Sequence, residues 1–248
     1  MENPRDPAPA PRTVPWGEVA LFFVVATAVS APFRLGWVDW REQIALPYGL
    51  SIFFRVCRGM GPAVGYLVMY HVVKSKVPRP FTFFGNSAAA SVAAASVIPA
   101  GLALGGLANE ISPHYAGFLT GISLTLYALG EEYGWRGYLQ QALEPLRLPL
   151  RIFVIATLWY LWHLNFLIPG ISIPAHLIHY GGLLLGSWGL LKISKVTGAI
   201  LFAAAVHLSF NLFFDVNASM GVKLSVLAAC GLIWTALILS SRMPRSQD

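Results

Sequence analysis

The stretch Leu129-Gly130-Glu131-Glu132-Tyr133-Gly134-Trp135-Arg136-Gly137-Tyr138 sets two adjacent carboxylates and a guanidinium inside an otherwise apolar run. A charge in hydrocarbon costs a few kcal/mol or more, so such a pair is a functional hypothesis by default. The other polar residues in the later apolar runs are His163 and Asn165, His176 and His179, and His207 and Asn211. Glu132 and Arg136 stand at i and i+4, where side chains meet on one helical face and opposite charges neutralise each other. Glu131 is rotated about 100° from Glu132 and is left to face a polar cavity. His207 and Asn211 share the same spacing, which stacks two hydrogen-bonding groups on one side of a helix.

A carboxylate in a low-dielectric cavity holds protons more readily than one in water, which suits a general base that takes a proton from water. An imidazole opposite it holds the same water or protonates a leaving amine. A second imidazole with an amide supplies donors for the oxyanion that forms when water attacks a carbonyl. Together these parts describe amide hydrolysis without a covalent intermediate. Glu131, His163 and His207 also fit a two-histidine, one-carboxylate zinc site with an open position for water. No His-Glu-x-x-His occurs, and the ligands would come from three separate helices; the metal-free version, needing no cofactor, is the favoured one.

These groups must be brought together by long apolar elements. Of 248 residues 56% are hydrophobic and 11% charged, with mean hydropathy +0.62, which defines an integral membrane protein. Eight apolar segments can be drawn: Trp16 to Leu35, Gly49 to Val73, Ser87 to Leu107, Pro113 to Leu143, Arg151 to Ile168, Ile173 to Leu191, Val196 to Phe214 and Val222 to Ser240. The expected fold is all-α, a polytopic transmembrane bundle of about eight spans in one domain, residues 16–248, behind a disordered Pro- and Ala-rich tail, 1–15. The fourth segment is too long for a simple span and should protrude, tilt or break near Gly134 and Gly137. Gly61-Pro62 and Pro99 mark kinks or helix starts, and the Ala-rich stretch from Ser87 to Ala95 reads as a tightly packed face. At 1.5 Å per residue, Glu131 and His163 each lie about 18 Å, and His207 about 16 Å, from one and the same end of their helices. One carboxylate and two imidazoles thus reach a similar depth.

Basic residues fall in short clusters between the spans: Arg5 and Arg12, then Lys74, Lys76 and Arg79, then Arg147 and Arg151, then Lys192 and Lys195, then Arg242 and Arg245. With eight spans all of these share one side, and the other receives chiefly Arg34, Arg41 and Lys223, with Arg55 and Arg58 inside the second segment assignable to neither, so both termini are expected in the cytoplasm. The net charge of +6 therefore reports topology; no nucleic-acid signature accompanies it. Cys57 and Cys230 lie in apolar segments and are read as packing residues. Trp16, Trp37, Trp40 and Tyr48 are read as interfacial anchors, and His176 and His179 as packing residues near the outer interface.

Glu131 to Arg136 fits the Glu-Glu-x-x-x-Arg motif of the CAAX prenyl protease and bacteriocin-processing (CPBP, or Abi) family of intramembrane endopeptidases, and Gly137-Tyr138-Leu139 continues the likeness. His163 falls where the family has Phe-x-x-x-His, and His207-Leu208-Ser209-Phe210-Asn211 resembles its His-x-x-x-Asn. Trp159 stands in the Phe position, an aromatic change that touches packing rather than chemistry. The resemblance spans about Pro113 to Phe214 and implies a membrane-embedded active site. There Glu131 and His163 would activate water, His207 and Asn211 would form the oxyanion hole, and Glu132 and Arg136 would hold the site in shape. The family has been described both as metalloproteases and as glutamate-type proteases. Its substrates include prenylated C-terminal peptides, bacteriocin or pheromone precursors and proteins with C-terminal sorting signals. The partners expected are the bilayer and a protein or peptide substrate, lipidated or not, and the composition suggests a bacterial cytoplasmic membrane. Rival readings are a proton-coupled secondary transporter using the same Glu and His residues, a catalytically idle scaffold, and a buried ion pair that only fixes helix register.

Overall fold

The computed structural model describes residues 13–38, 54–108, 110–164 and 170–242. The expected tail, apart from its last three residues, together with Arg41, Trp40, Tyr48, the start of the second apolar segment, Asn165 and Arg245, lies outside the described residues. Within them the chain forms α1 (Trp16–Arg34), α2 (Phe54–Gly59), α3 (Gly61–Leu67), α4 (Ala88–Gly105), α5 (Pro113–Gly134), α6 (Leu148–Trp162), α7 (Ile173–Thr197), α8 (Ile200–Asp215) and α9 (Met220–Arg242). There is no strand among the described residues, only an isolated bridge between Thr82 and Ala199. The architecture is an all-α bundle.

Among the described residues three helices are long and apolar enough to cross a membrane: α1 with mean hydropathy 1.6, α4 with 1.7 and Met220–Ser240 of α9 with 2.1. α6 and α8 are apolar but shorter, and α5 and α7 have the length while carrying polar side chains. Apolar residues that would be unusual on a water-facing surface stay outward, among them Val24, Leu104, Leu185 and Leu232. This is the distribution expected when hydrocarbon, not water, is the solvent.

Glycine lets the helices approach closely where the site is built. A side chain at Gly134 would collide with the Pro62 ring and carbonyl, and one at Gly130 would stand 2.7 Å from the Gly59 carbonyl oxygen. α5 therefore lies directly against α2 and α3. Pro62 occupies the first turn of α3, where its missing N–H is no loss. The interruption expected near Gly134 and Gly137 takes the form of a π-helical turn, Trp135–Leu139, after which one α-turn, Gln140–Ala142, closes the segment. Such turns insert a residue into a helix and re-aim the side chains around it.

Two apolar clusters flank this turn. One gathers Phe22, Met69, Trp135, Tyr138, Leu139, Ile155 and Trp162 from α1, the turn after α3, the π turn after α5, and α6. The other joins Ile98, Leu102, Leu124, Phe202, Leu208 and Trp234 from α4, α5, α8 and α9.

Candidate active site

Glu131 and Glu132 are both fully buried. Glu132 shows the predicted pairing: its Oε2 is 3.1 Å from Arg136 Nε. Its other oxygen, Oε1, lies 2.8 Å from Nδ1 of His207. Glu132 thus couples Arg136 to His207, a link between α5 and α8 that i, i+4 spacing alone does not announce. The Arg136 guanidinium makes no aligned hydrogen bond; it is held by the Glu132 charge and by the Trp159 ring, whose centroid is 5.0 Å from its Cζ.

Glu131 differs from the expectation of a carboxylate facing a cavity. Its Oε2 accepts the indole N–H of Trp159 at 2.6 Å and that of Trp135 at 3.4 Å. Its Oε1 has no hydrogen-bond partner and lies 3.7 Å from Arg34 Nη2. The neighbouring cavity, about 380 Å³, is lined by Trp159, His163, His207 and Asn211 together with Arg34 and Tyr127, and Glu131 is not part of its wall. Trp159, which donates to Glu131 Oε2, and Arg34, 3.7 Å from its Oε1, both belong to the cavity wall.

Trp159 also packs on both imidazoles, with ring centroids 5.1 Å from His207 and 6.2 Å from His163. His163 follows the last residue of α6; its Nδ1 is held 2.7 Å from the carbonyl of Trp159, so chemistry at this ring falls to Nε2. Leu164 then takes a left-handed conformation, φ 56°, uncommon for a residue with a branched side chain, just past the end of α6 at Trp162; the expected limit at Ile168 lies outside the described residues. In α8, Asn211 gives its amide N–H to Asp215 at 3.0 Å, while its Oδ1 is buried without a hydrogen-bond partner.

Sequence reasoning treated Arg34 as a charge of the outer loops. It is instead buried, with a side chain 2% exposed. Its guanidinium donates to Tyr127 Oη at 2.8 Å, to the Arg58 carbonyl at 3.1 Å and to the His163 carbonyl at 3.4 Å, and it stacks 3.6 Å from the Trp162 ring centroid. One cation from α1 ties together α2, α5 and the end of α6. The only hint in the sequence is position: Arg34 closes an apolar run rather than joining a basic cluster. His179, read as packing, lines the cavity, and His176 bonds through Nδ1 to Tyr160 Oη at 2.7 Å.

The residues named for zinc do not form one ligand set. Among the described residues no three His, Cys, Asp or Glu side chains come together as a metal site, and Glu131 turns to indoles rather than to the imidazoles. No step below is routed through a metal.

A buried carboxylate with one oxygen free of hydrogen bonds stands beside a cavity lined by two imidazoles and an amide in an all-α bundle. The family model described as Rce1-like, type II CAAX prenyl endopeptidase, matches residues 113–213, so over this stretch the chain is similar to that family. No curated protein and no solved structure matches the chain. The matched stretch contains every candidate site residue except Arg34.

Proposed function

We propose that the protein hydrolyses a peptide bond in or near the membrane with a water activated by Glu131 and His163, processing the C-terminal region of a membrane-associated or lipidated substrate or of a peptide precursor. The observation that carries this reading is the state of Glu131: one oxygen fixed by two indoles, the other without a hydrogen-bond partner and 3.7 Å from Arg34 Nη2, beside a cavity lined by both imidazoles. Fixed orientation with one oxygen left over is what a general base needs.

In this mechanism Glu131 Oε1 takes a proton from water that His163 Nε2 holds in line with the scissile carbonyl. Charge then develops on the carbonyl oxygen. His207, whose Nδ1 is committed to Glu132, offers Nε2, and protonated there it donates to the oxyanion; Asn211 adds its amide once its bond to Asp215 is exchanged for substrate. The proton on Glu131 passes to the leaving amine, and the carboxylate is restored. Arg136 and Glu132 hold the geometry, and Arg34 balances the Glu131 charge. The Trp159 indole N–H fixes the orientation of the Glu131 carboxylate. The site is proposed to work without a cofactor, in a bacterial cytoplasmic membrane with both termini in the cytoplasm.

The test has two parts. Membranes with and without the protein are compared by proteomics to find a substrate that keeps its uncleaved tail. Glu131→Gln and His163→Ala are then each expected to abolish cleavage while insertion and gel-filtration behaviour are retained. Full activity in both variants would remove the assignment, and uptake into proteoliposomes that depends on Glu131 would favour transport.

A further inference from the structure

α1 lies outside the matched stretch, residues 113–213, yet both of its charged side chains reach into that stretch. Arg34, in the last turn, stands beside Glu131. Glu18, in the first turn, has no part in the mechanism above. Its Oε2 accepts the Tyr138 hydroxyl at 3.1 Å and also the hydroxyl of Ser75. A hydroxyl bonds roughly twice as strongly to an ionised acceptor as to a neutral one, and here two hydroxyls converge on one carboxylate oxygen.

Tyr138 belongs to the π turn Trp135–Leu139 and is fully buried. Its ring packs on Phe22, with centroids 5.0 Å apart, and on Tyr70, at 5.7 Å. Phe22 follows Glu18 by four residues, on the same face of α1, and also meets the Trp135 ring edge-on at 5.7 Å. One face of α1 therefore holds both aromatic side chains of the turn. Side chains bond two of the turn's carbonyls as well: Tyr70 Oη, from a second π turn at Val68–Val72, lies 3.4 Å from the Gly137 carbonyl, and Gln141 Nε2 donates to the Arg136 carbonyl at 3.3 Å.

What this turn aims is the site. Trp135 opens it with an indole N–H 3.4 Å from Glu131 Oε2, and Arg136 follows with Nε 3.1 Å from Glu132 Oε2. A π turn carries one residue more than the regular helix, an offset of about 100° in side-chain direction. In an uninterrupted α-helix Tyr138 would point that far from its present direction relative to Glu131. The turn is what lets the phenol reach Glu18 while Trp135 and Arg136 stay on the two carboxylates.

We propose that Glu18 is a positioning residue of the active site: through Tyr138 it holds the π turn in the register that sets Trp135 against Glu131 and Arg136 against Glu132. Its effect on the reaction rests on the proteolytic reading of Glu131; its coupling to the turn does not. Glu18→Gln keeps the size of the side chain and removes the charge. In the purified protein it is expected to lower kcat severalfold with KM unchanged, measured on the substrate found by the membrane comparison. Tyr138→Phe is expected to do the same, and the double variant to be no slower than the slower single one, because both break one link. Ser91→Ala, which removes the hydroxyl bond to the Phe84 carbonyl at 2.8 Å at the start of α4, is the control for lost stability and should leave kcat unchanged. A second measurement needs no substrate. In protein labelled with fluorotryptophan, with the Trp135 resonance assigned through Trp135→Phe, Glu18→Gln and Tyr138→Phe are both expected to shift that fluorine resonance, and Ser91→Ala is not. An unmoved resonance in Glu18→Gln overturns the coupling. A moved resonance with unchanged kcat, or losses that multiply in the double variant, overturns the positioning role. If Glu18→Gln does not accumulate, Tyr138→Phe, which leaves every charge in place, reads the same link in both measurements. Cleavage that survives Glu131→Gln would remove the proteolytic reading while the fluorine result on Glu18 still stood.

Discussion

The indole nitrogen of Trp159 lies 2.6 Å from Oε2 of Glu131, which makes an aromatic residue of α6 the main hydrogen-bond donor to the proposed base. Phenylalanine keeps the ring against His163 and His207 but has no donor. A hydrogen bond to a charged group contributes roughly 1.5–3 kcal/mol, and 1.4 kcal/mol is about tenfold in rate. Trp159→Phe is therefore expected to lower kcat by about tenfold or more with KM little changed, and to lower thermal stability as well, since the buried carboxylate loses its main donor. An unaltered kcat would show that the bond serves packing only.

Arg34 should matter for folding and activity together. It has four contacts besides Glu131, and removing it leaves the carboxylate buried without its nearest cation. Breaking one side of a buried charge pair costs about 3–5 kcal/mol. Arg34→Ala is expected to lower the unfolding temperature in detergent by several degrees and to abolish cleavage. Arg34→Lys should recover little of either, because one ammonium cannot donate at once to Tyr127, Arg58 and His163 or stack flat on Trp162. Substantial rescue by lysine would reduce the role of Arg34 to charge alone.

Much of the scaffold was legible because hydropathy and helical spacing are local properties. The apolar runs locate the helices, and i, i+4 spacing locates the Glu132–Arg136 pair. What surrounds Glu131 was not legible, because it depends on how α6 and α1 are rotated against α5. Trp159 read as a substitute for phenylalanine; its N–H acquires meaning only once α6 turns it toward Glu131. Arg34 read as a loop charge because nothing in α1 says that Tyr127 and Trp162 will meet its end. The sequence does register that something is unusual at Trp159, since it departs there from the family pattern.

The Glu132–Arg136 pair offers a test of structure against chemistry. Arg136→Ala strands Glu132 in a fully buried position and is expected to cost about 3–5 kcal/mol of stability. Replacing Glu132 by Gln in the same chain removes the stranded charge, so the double variant should be more stable than Arg136→Ala alone. It should stay inactive, because Glu132 also fixes Nδ1 of His207. A thermal-unfolding cycle with parallel cleavage assays separates the two effects. Recovered activity in the double variant would show that His207 needs no carboxylate behind it.

Close packing of α5 on α3 should be equally measurable. A methyl group at Gly134 would meet the Pro62 ring and stand 2.6 Å from its carbonyl oxygen, so the helices must separate. Overpacking of this kind costs about 1–3 kcal/mol. Gly134→Ala is expected to lower the unfolding temperature and to reduce cleavage more than stability alone explains, since Trp135 and Arg136 follow directly in the π turn. Gly189→Ala, where nothing stands within 4 Å, is the matched control and should leave both unchanged.

The metal question turns on what Glu131 touches. A ligand carboxylate and a carboxylate that accepts two indole N–H groups make different demands on the same oxygens. With Oε2 committed to Trp159 and Trp135, only Oε1 is available, and that oxygen is the one the proposed mechanism uses as base. Purified active protein is therefore expected to keep its cleavage rate after prolonged dialysis against a strong chelator. Elemental analysis should find less than stoichiometric zinc. Inactivation by the chelator with recovery on adding zinc back would overturn the metal-free mechanism and would require Glu131 to exchange its indole donors for the metal. In that case Trp159→Phe should raise zinc affinity rather than lower kcat, because the indole would be competing with the ion for the same carboxylate.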